Sequence, residues 1–289
     1  MNRVDSVLPC LGPHGFYRLA YSFWPAEEGA TARPLLCIHG LTRNGRDFDA
    51  LAARLSTRRP VLCPDMPGRG HSDWFADNAD YTYPVYVAAA SALIARLSAE
   101  GTAIGGIDFV GTSMGGIIGM LLAAQENTPI RRLVLNDIGP FIPKKALERI
   151  GEYVGRDPHF EGLSALEAYL RRVHGSFGQL TDDQWRHMAE TSARRVEGTD
   201  MLALAYDPGI APAVTGEVAD VDLWSTYNRI TCPVLIVRGA QSDLLLPETV
   251  EEMMRRGPVT QVFEVADTGH APALLADDQI NRIEAFLAS

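Results

Sequence analysis

Short apolar runs alternate along this chain with longer segments of helical pattern. The runs lie at residues 35–38, 61–63, 107–110, 133–135, 234–237 and 262–265, after an alternating segment at 16–24. Helical patterns occupy residues 47–55, 83–97, 114–125 and 277–287. Continuous apolar runs are typical of parallel strands buried on both faces, and parallel strands need crossover connections, usually helices. The pattern therefore predicts an α/β fold, a mostly parallel sheet flanked by helices.

The alternation stops between about residues 140 and 222, where helical patterns dominate. Two segments there, Ser164 to Glu167 and Thr181 to Gln184, match the capping box that opens many helices. Strand patterns resume after Cys232, before the last two strands, so the helical segment interrupts the sheet. We expect a core domain of residues 1–139 and 223–289 and a helical cap of residues 140–222 over one end of the sheet.

Charge and apolar content exclude several classes of partner. The chain carries 26 basic and 36 acidic residues, a formal net charge of -10, which repels phosphate backbones and anionic membrane surfaces. No segment approaches the roughly 18 apolar residues of a membrane span, and residues 1–12 lack the apolar run of a secretory signal. We therefore expect a cytoplasmic protein that acts on a small molecule and binds no nucleic acid; nothing indicates its oligomeric state.

The cysteines indicate neither disulfides nor a metal site. Cys10, Cys37, Cys63 and Cys232 form no C-x-x-C pair, and most of them sit in apolar runs. Buried, reduced thiols are the expectation from this spacing. We expect neither a metal nor another cofactor.

The segment Gly111-Thr112-Ser113-Met114-Gly115 is the strongest local motif. It follows the apolar run 107–110 directly and precedes the helical pattern 114–125. In a sharp strand-to-helix turn the flanking glycines remove side chains that would collide with neighbouring elements, and the serine hydroxyl is exposed at the carboxyl end of the sheet. The motif predicts Ser113 as a nucleophile, a plain structural turn being the alternative.

A serine hydroxyl becomes a nucleophile only when a base accepts its proton. His270 lies just past the last predicted strand, where a loop can return it to the carboxyl edge of the sheet. His39 and His71 also follow strand patterns. We predict His270 as the base, with a structural loop histidine as the alternative.

The base must in turn be oriented by a carboxylate. Asp243 follows the strand at 234–237, and Asp137 follows the strand at 133–135, so both lie at the required edge. Asp65 is disfavoured because its segment resembles a structural turn, and Asp267 because it is so close to His270 in sequence. We predict Asp243 as the acid and keep Asp137 as the competing candidate.

Acyl transfer also needs donors for the negative oxygen that forms at the carbonyl. The backbone N–H of Met114, at the start of the helix after the nucleophile, is one candidate. The N–H of Leu41, in the loop after the strand at 35–38, is the other, since Gly40 permits a tight turn there. We expect His39 to brace that loop.

Together these motifs resemble the α/β-hydrolase superfamily, specifically the capped serine hydrolases that include esterases, lactonases and carbon-carbon bond hydrolases. The resemblance spans nearly the whole chain, through His39-Gly40, residues 64–72, residues 111–116, residues 239–243 and Gly269-His270. It implies eight mainly parallel strands, an active site between sheet and cap, and the chain order serine, acid, histidine.

The leading prediction is a serine hydrolase of a small or medium carboxylic ester or lactone that works through an acyl-enzyme. A carbon-carbon hydrolase of ring-cleavage products is the alternative, disfavoured because those enzymes usually carry an aromatic residue directly after the histidine, whereas Ala271 follows here. A ligand-binding member of the fold without turnover is a third possibility. Trp185, Tyr206 and Trp224 are candidate pocket walls, although packing is the simpler role for each.

Overall fold

The computed structural model describes residues 3–99, 105–213, 215 and 218–289. Its main sheet has 8 strands in the order β1-β2-β4-β3-β5-β6-β11-β12. The pairs β1/β2 and β2/β4 are antiparallel and the others are parallel. The predicted α/β fold is confirmed. The strands of the described residues are β1 Val4–Gly12, β2 Gly15–Trp24, β3 Leu35–Ile38, β4 Val61–Pro64, β5 Ile107–Thr112, β6 Ile130–Asn136, β7 Phe141–Ile142, β8 Ala193–Arg195, β9 Leu202–Leu204, β10 Val221–Asp222, β11 Val234–Gly239 and β12 Thr260–Val265.

Helices cover both faces of this sheet, which is why its central strands are largely buried and rich in apolar residues on both faces. In β3, Leu36 and Ile38 pack into one apolar cluster and Leu35 and Cys37 into another on the opposite face, as the alternation of strand side chains requires. The helices are α1 Asp49–Leu55, α2 Tyr83–Ala99, α3 Met114–Ala123, α4 Lys144–Gly151, α5 Leu163–Val173, α6 Asp182–Ser192, α7 Trp224–Tyr227, α8 Pro247–Arg255 and α9 Asp277–Ala288. Single 3₁₀ turns lie at Gly45–Phe48, Asn78–Asp80, Gly175–Phe177 and Pro208–Ala213.

The edge strand β1 was not among the strands predicted from apolar runs. It pairs with β2 from Val4 opposite Phe23 to Gly12 opposite Gly15, and most of its residues are exposed or half-buried. An edge strand that buries little side-chain area leaves a weak hydropathy signal. The sequence signal that could have revealed this strand is the pair Gly12 and Gly15, which flank a two-residue hairpin loop. Gly15 has a positive φ of 128°, a conformation that suits glycine.

Between β6 and β11 the chain forms α4, α5 and α6 with two short ribbons, β8/β9 and β7/β10. The predicted capping box at Thr181 is confirmed, because its side chain accepts from the N–H of Gln184, and the amide of Gln184 accepts from the N–H of Thr181. The one at Ser164 is wrong: α5 begins at Leu163 after Gly162, which places Ser164 inside the first turn. Residues 214, 216 and 217 of the predicted cap lie outside the described residues.

The four cysteines are buried and free, as expected. None of the described helices is both long and apolar enough to cross a membrane. Across the described ranges, His, Cys, Asp and Glu side chains form no group of three or more that could hold a metal ion.

Candidate active site

Ser113 occupies the turn between β5 and α3. Its φ of 52° and ψ of -115° are unusual for a residue with a side chain. The turn is tight: a Cβ on Gly115 would collide with the carbonyl of Ile38, and one on Gly111 with the backbone of Gly115. The predicted elbow therefore has the backbone that the motif requires, and it presents the Ser113 hydroxyl at the carboxyl edge of the sheet.

His270 reaches this hydroxyl from the loop after β12. Its Nε2 lies 3.0 Å from Ser113 Oγ, and its side chain is only 9% exposed. Two backbone hydrogen bonds hold the loop: the N–H of Gly269 donates to the carbonyl of Ser176 at 2.7 Å, and that of Gln241 to Thr268 at 2.8 Å. The structure thus brings together the predicted nucleophile and the predicted base.

Asp137 accepts a hydrogen bond from the other ring nitrogen of His270. His270 Nδ1 donates to Asp137 Oδ2 at 2.8 Å. The carboxylate is fully buried, and it also accepts from the Gly239 N–H at 2.8 Å and the Ser242 hydroxyl at 2.5 Å. Because each carboxylate oxygen has a donor, the group is held as an acceptor aimed at His270.

Strand register explains why Asp137 is the carboxylate that meets His270. In the β5/β6 pair Thr112 lies opposite Asn136, so the next residue on each strand leaves the sheet at the same level. Those residues are Ser113 and Asp137. The N–H of Asp137 donates to the carbonyl of Val237 at 2.7 Å, which ties the turn to β11.

The prediction that Asp243 orients His270 is wrong about the geometry. The Asp243 carboxylate is half exposed and forms a two-pronged ion pair with Arg149, with Nε at 2.5 Å and Nη2 at 2.9 Å. Its loop does touch the site, but through Ser242, which donates to Asp137. Of the residues in the loop after β11, Ser242 contacts the site and Asp243 does not.

The loop after β3 lies against Ser113. A Cβ on Gly40 would stand 3.8 Å from the Cβ of Ser113, and Leu41 lines the same cavities as Ser113. Met114 lines one of these cavities as well. Both residues therefore line a cavity together with Ser113, which is where donors to a developing oxyanion would have to lie.

His39 fixes the peptide that carries the Leu41 N–H. Its Nε2 accepts from the Met66 N–H at 2.9 Å, so its Nδ1 bears the proton and donates to the carbonyl of Gly40 at 2.7 Å. Burial lowers the pKa of His39 to about 3, with further lowering by Arg69 and Arg43, so the ring is neutral at ordinary pH. In a trans peptide the Leu41 N–H points away from the anchored carbonyl. This contact agrees with the expected bracing role.

Arg69 also supports this loop and was not singled out by the sequence reasoning. It is fully buried, and its Nε donates to the carbonyl of Leu41 at 2.8 Å. Its Nη1 donates to Pro67 and to Tyr86, and the guanidinium stacks over the Tyr86 ring at 5.1 Å. In the part of the chain that the structure describes, no carboxylate pairs with it. Carbonyls and aromatic faces accommodate the charge instead.

The remaining candidates have other roles or lie at the surface. Asp65 accepts the N–H groups of Gly45 and His71 at 2.8 Å each, as a structural turn would; burial raises its pKa. His71 and Asp267 are exposed. None of the three aromatic candidates, Trp185, Tyr206 and Trp224, lines the cavities that contain Ser113.

Two cavities of different character meet at Ser113. The larger, of about 480 Å³, is walled mainly by aliphatic side chains and is called the apolar chamber; its walls include Ile117, Leu121, Ile142, Leu147 and Leu223. The smaller, of about 70 Å³, contains His270 and also has many apolar residues in its walls; it is called the polar chamber because polar and charged side chains line it too, namely Arg43, Asp47, His174, Gln184 and His187. Residues of the segment inserted between β6 and β11 line both chambers.

Comparison with known proteins places this chain in a family. A family model described as the alpha/beta hydrolase family matches residues 35–283. The chain belongs to this family. An alpha/beta hydrolase from Novosphingobium aromaticivorans superposes with a TM-score of 0.85 at 34% identity, covering 99% of this chain and 98% of that one.

Curated relatives give the class of reaction. A 3-hydroxybutyrate-oligomer hydrolase from Cupriavidus necator is 45% identical over 282 residues, 94% of this chain and 93% of that protein. A 2-(acetamidomethylene)succinate hydrolase from Mesorhizobium japonicum is 32% identical over 245 residues, 84% of each. The predicted class, an ester-cleaving hydrolase, is confirmed.

Proposed function

We propose that this hydrolase cleaves carboxylic esters through an acyl-enzyme on Ser113, with His270 as the base and Asp137 as the carboxylate that orients it. One observation carries the proposal: the continuous hydrogen-bonded chain from Ser113 Oγ to His270 Nε2 at 3.0 Å and from His270 Nδ1 to Asp137 Oδ2 at 2.8 Å. Within this arrangement the imidazole keeps its proton on Nδ1, which leaves Nε2 free to accept the serine proton.

The reaction then runs in two halves. Ser113 Oγ attacks the ester carbonyl while His270 takes its proton, and the carbonyl oxygen becomes an oxyanion beside the N–H groups of Leu41 and Met114. Collapse breaks the bond to the alcohol, which leaves with the proton from His270. Water, deprotonated by His270, attacks the acyl group, and the carboxylic acid departs as Ser113 recovers its proton.

The substrate class that we propose is an oligoester of a hydroxy acid. Its support is the 45% identity to the Cupriavidus necator hydrolase, whose name gives such a substrate, together with the two chambers that Ser113 lines. We further propose that residues 140–222 act as a cap, since Ile150, Tyr153 and His174 from this segment share a cavity with Ser113.

A labelling experiment and a substrate panel test this function. A fluorophosphonate should label Ser113 alone, as mapped by peptide mass spectrometry, because only an activated and accessible hydroxyl reacts at a useful rate. Ser113→Ala should lower kcat by about 10⁴- to 10⁶-fold while circular dichroism stays unchanged. Label on another serine of active protein, or faster turnover of a vinylogous ring-cleavage product than of any ester, would overturn the proposal.

A further inference from the structure

The position of His270 distinguishes the two chambers chemically. The leaving alcohol must receive its proton from His270 Nε2, so it has to lie on the His270 side of Ser113. His270 lines the polar chamber, whereas Met114 lines the apolar one. The two halves of an ester at Ser113 are therefore not interchangeable.

We propose, on the basis of the proposed ester hydrolysis, that the apolar chamber receives the acyl group and the polar chamber receives the alcohol part, where His174 binds an uncharged carbonyl or hydroxyl of the substrate. His174 is thereby a specificity-determining residue for esters whose alcohol is itself a hydroxy-acid derivative. Neither the triad nor the oxyanion donors require it.

The His174 imidazole lies in a cavity wall and has no hydrogen-bond partner among the described residues. It is 6% exposed, it lines the polar chamber, and no residue among those described forms a hydrogen bond with its ring nitrogens. Its ring nitrogens are not among the fully buried polar atoms that lack a partner, so they are accessible from the chamber that the ring lines. A polar substrate group in the chamber would supply that partner.

The ring is held in a fixed orientation. It stacks on Phe177 with ring centroids 4.5 Å apart and meets the edge of Tyr153 at 6.2 Å. The next residues are anchored as well, since Ser176 Oγ donates to the carbonyl of His270 at 3.2 Å. A preorganised group loses little conformational entropy when it binds.

Charge in the polar chamber favours an uncharged substrate group. Burial lowers the pKa of His174 well below 6.5, and the neighbouring Arg43 and His270 lower it further, so it binds as a neutral donor or acceptor. The Arg43 guanidinium already pairs with Asp47 through Nε and Nη2 and donates to Ser192 Oγ through Nη1. It is therefore committed within the protein, and among the described residues that line this chamber there is no other Arg or Lys to bind a free carboxylate.

Four esters that differ in the position and charge of a second polar group test the assignment in the wild-type enzyme. They are sec-butyl butanoate, the methyl ester of O-butanoyl-β-hydroxybutyrate, the free acid of that compound, and sec-butyl levulinate, which carries its carbonyl on the acyl side. We expect the methyl ester to have the highest kcat/KM, about tenfold above that of sec-butyl butanoate because of one additional hydrogen bond. The free acid and the levulinate ester should both have lower kcat/KM values than the methyl ester. Equal kcat/KM values, or preference for levulinate or the free acid, would overturn the inference while leaving ester hydrolysis intact; absence of turnover on all four would refute the proposed function as well.

Variants of His174 test whether this residue causes the preference for the methyl ester. His174→Leu should lower kcat/KM about tenfold for the methyl ester and leave sec-butyl butanoate within about twofold, and His174→Gln should restore part of the loss by keeping a donor and an acceptor. His159→Leu is the matched control, an exposed histidine of the same inserted segment that pairs with Asp157. Equal losses on both esters in His174→Leu would refute a role in recognition.

The apolar chamber has its own variant. Leu147→Trp should fill part of the chamber and lower kcat/KM for octanoyl relative to acetyl esters by about tenfold, whichever alcohol is used. A change in alcohol preference without a change in acyl-length preference would show that the assignment of the two chambers is reversed.

Discussion

Replacing Asp137 or Asp243 by asparagine separates the two carboxylates that the sequence offers. In Asp137→Asn one side-chain oxygen can still accept from the Gly239 N–H. The amide nitrogen then faces the Ser242 hydroxyl and His270 Nδ1, where the native carboxylate accepts two hydrogen bonds. A donor facing an N–H favours the tautomer with its proton on Nε2, which cannot accept the serine proton.

The expected loss for Asp137→Asn is about 10⁴ in kcat, or about 5.5 kcal/mol of transition-state free energy. For Asp243→Asn the structure predicts a small effect. That change removes an ion pair with Arg149 whose side chains are 40% and 50% exposed, and exposed pairs contribute about 0 to 1 kcal/mol to stability. We expect kcat within about twofold of wild type, because Asp243 does not contact His270.

Both variants should be compared with wild type in an ester hydrolysis assay under saturating substrate, after circular dichroism and thermal melting have shown that they fold. Ser242→Ala serves as an intermediate case, since it removes one donor to Asp137 and leaves the carboxylate in place. A crippled Asp243→Asn beside a nearly active Asp137→Asn would refute the assignment of the acid.

Two further predictions concern the surroundings of the site. His39→Ala frees the Gly40 carbonyl and should lower kcat about tenfold with little change in KM, since the Leu41 donor acts mainly in the transition state. Steady-state kinetics measure both constants. An increase in KM without a fall in kcat would contradict the bracing role. The pKa of His187 is raised, chiefly by its hydrogen bond with Asp49. The protonated His187 therefore contributes its full share to folding stability below the ordinary pKa of 6.5, and this contribution is lost as the pH rises through the raised pKa. At pH 5.5 the wild type should have a slightly higher melting temperature than His187→Gln, which corresponds to a difference of less than about 1 kcal/mol in the free energy of unfolding. This difference should vanish at high pH. A difference that does not change with pH would contradict the prediction.

The positions of Ser113 and His270 could be predicted because each is determined by local sequence. Ser113 follows a buried strand and precedes a helix within five residues, so the turn is dictated by its own glycines. His270 follows the last strand of the sheet directly. For such residues the order of strands along the chain is enough to place the side chain at the carboxyl edge.

The carboxylate that contacts His270 could not be predicted in this way because its placement depends on non-local geometry. Asp137 and Asp243 both follow parallel strands, and both strands end at the same edge. The choice is made by the β5/β6 register and by the direction in which the loop after β11 turns. Asp243 points to Arg149 on α4, a residue of the inserted segment whose position relative to the sheet no local pattern encodes.

The same inserted segment connects substrate binding to the placement of the base. Its residues Ser176 and Phe177 accept backbone hydrogen bonds from Gly269 and Ala273, which flank His270, at 2.7 and 3.2 Å. His174 immediately precedes them and lines the polar chamber. Because one short stretch of backbone holds both imidazoles, a displacement of the segment that moved His174 away from the chamber would also strain the loop that aligns His270 with Ser113. The two backbone hydrogen bonds from Gly269 and Ala273 therefore join the segment that carries His174 to the loop that places His270 beside Ser113.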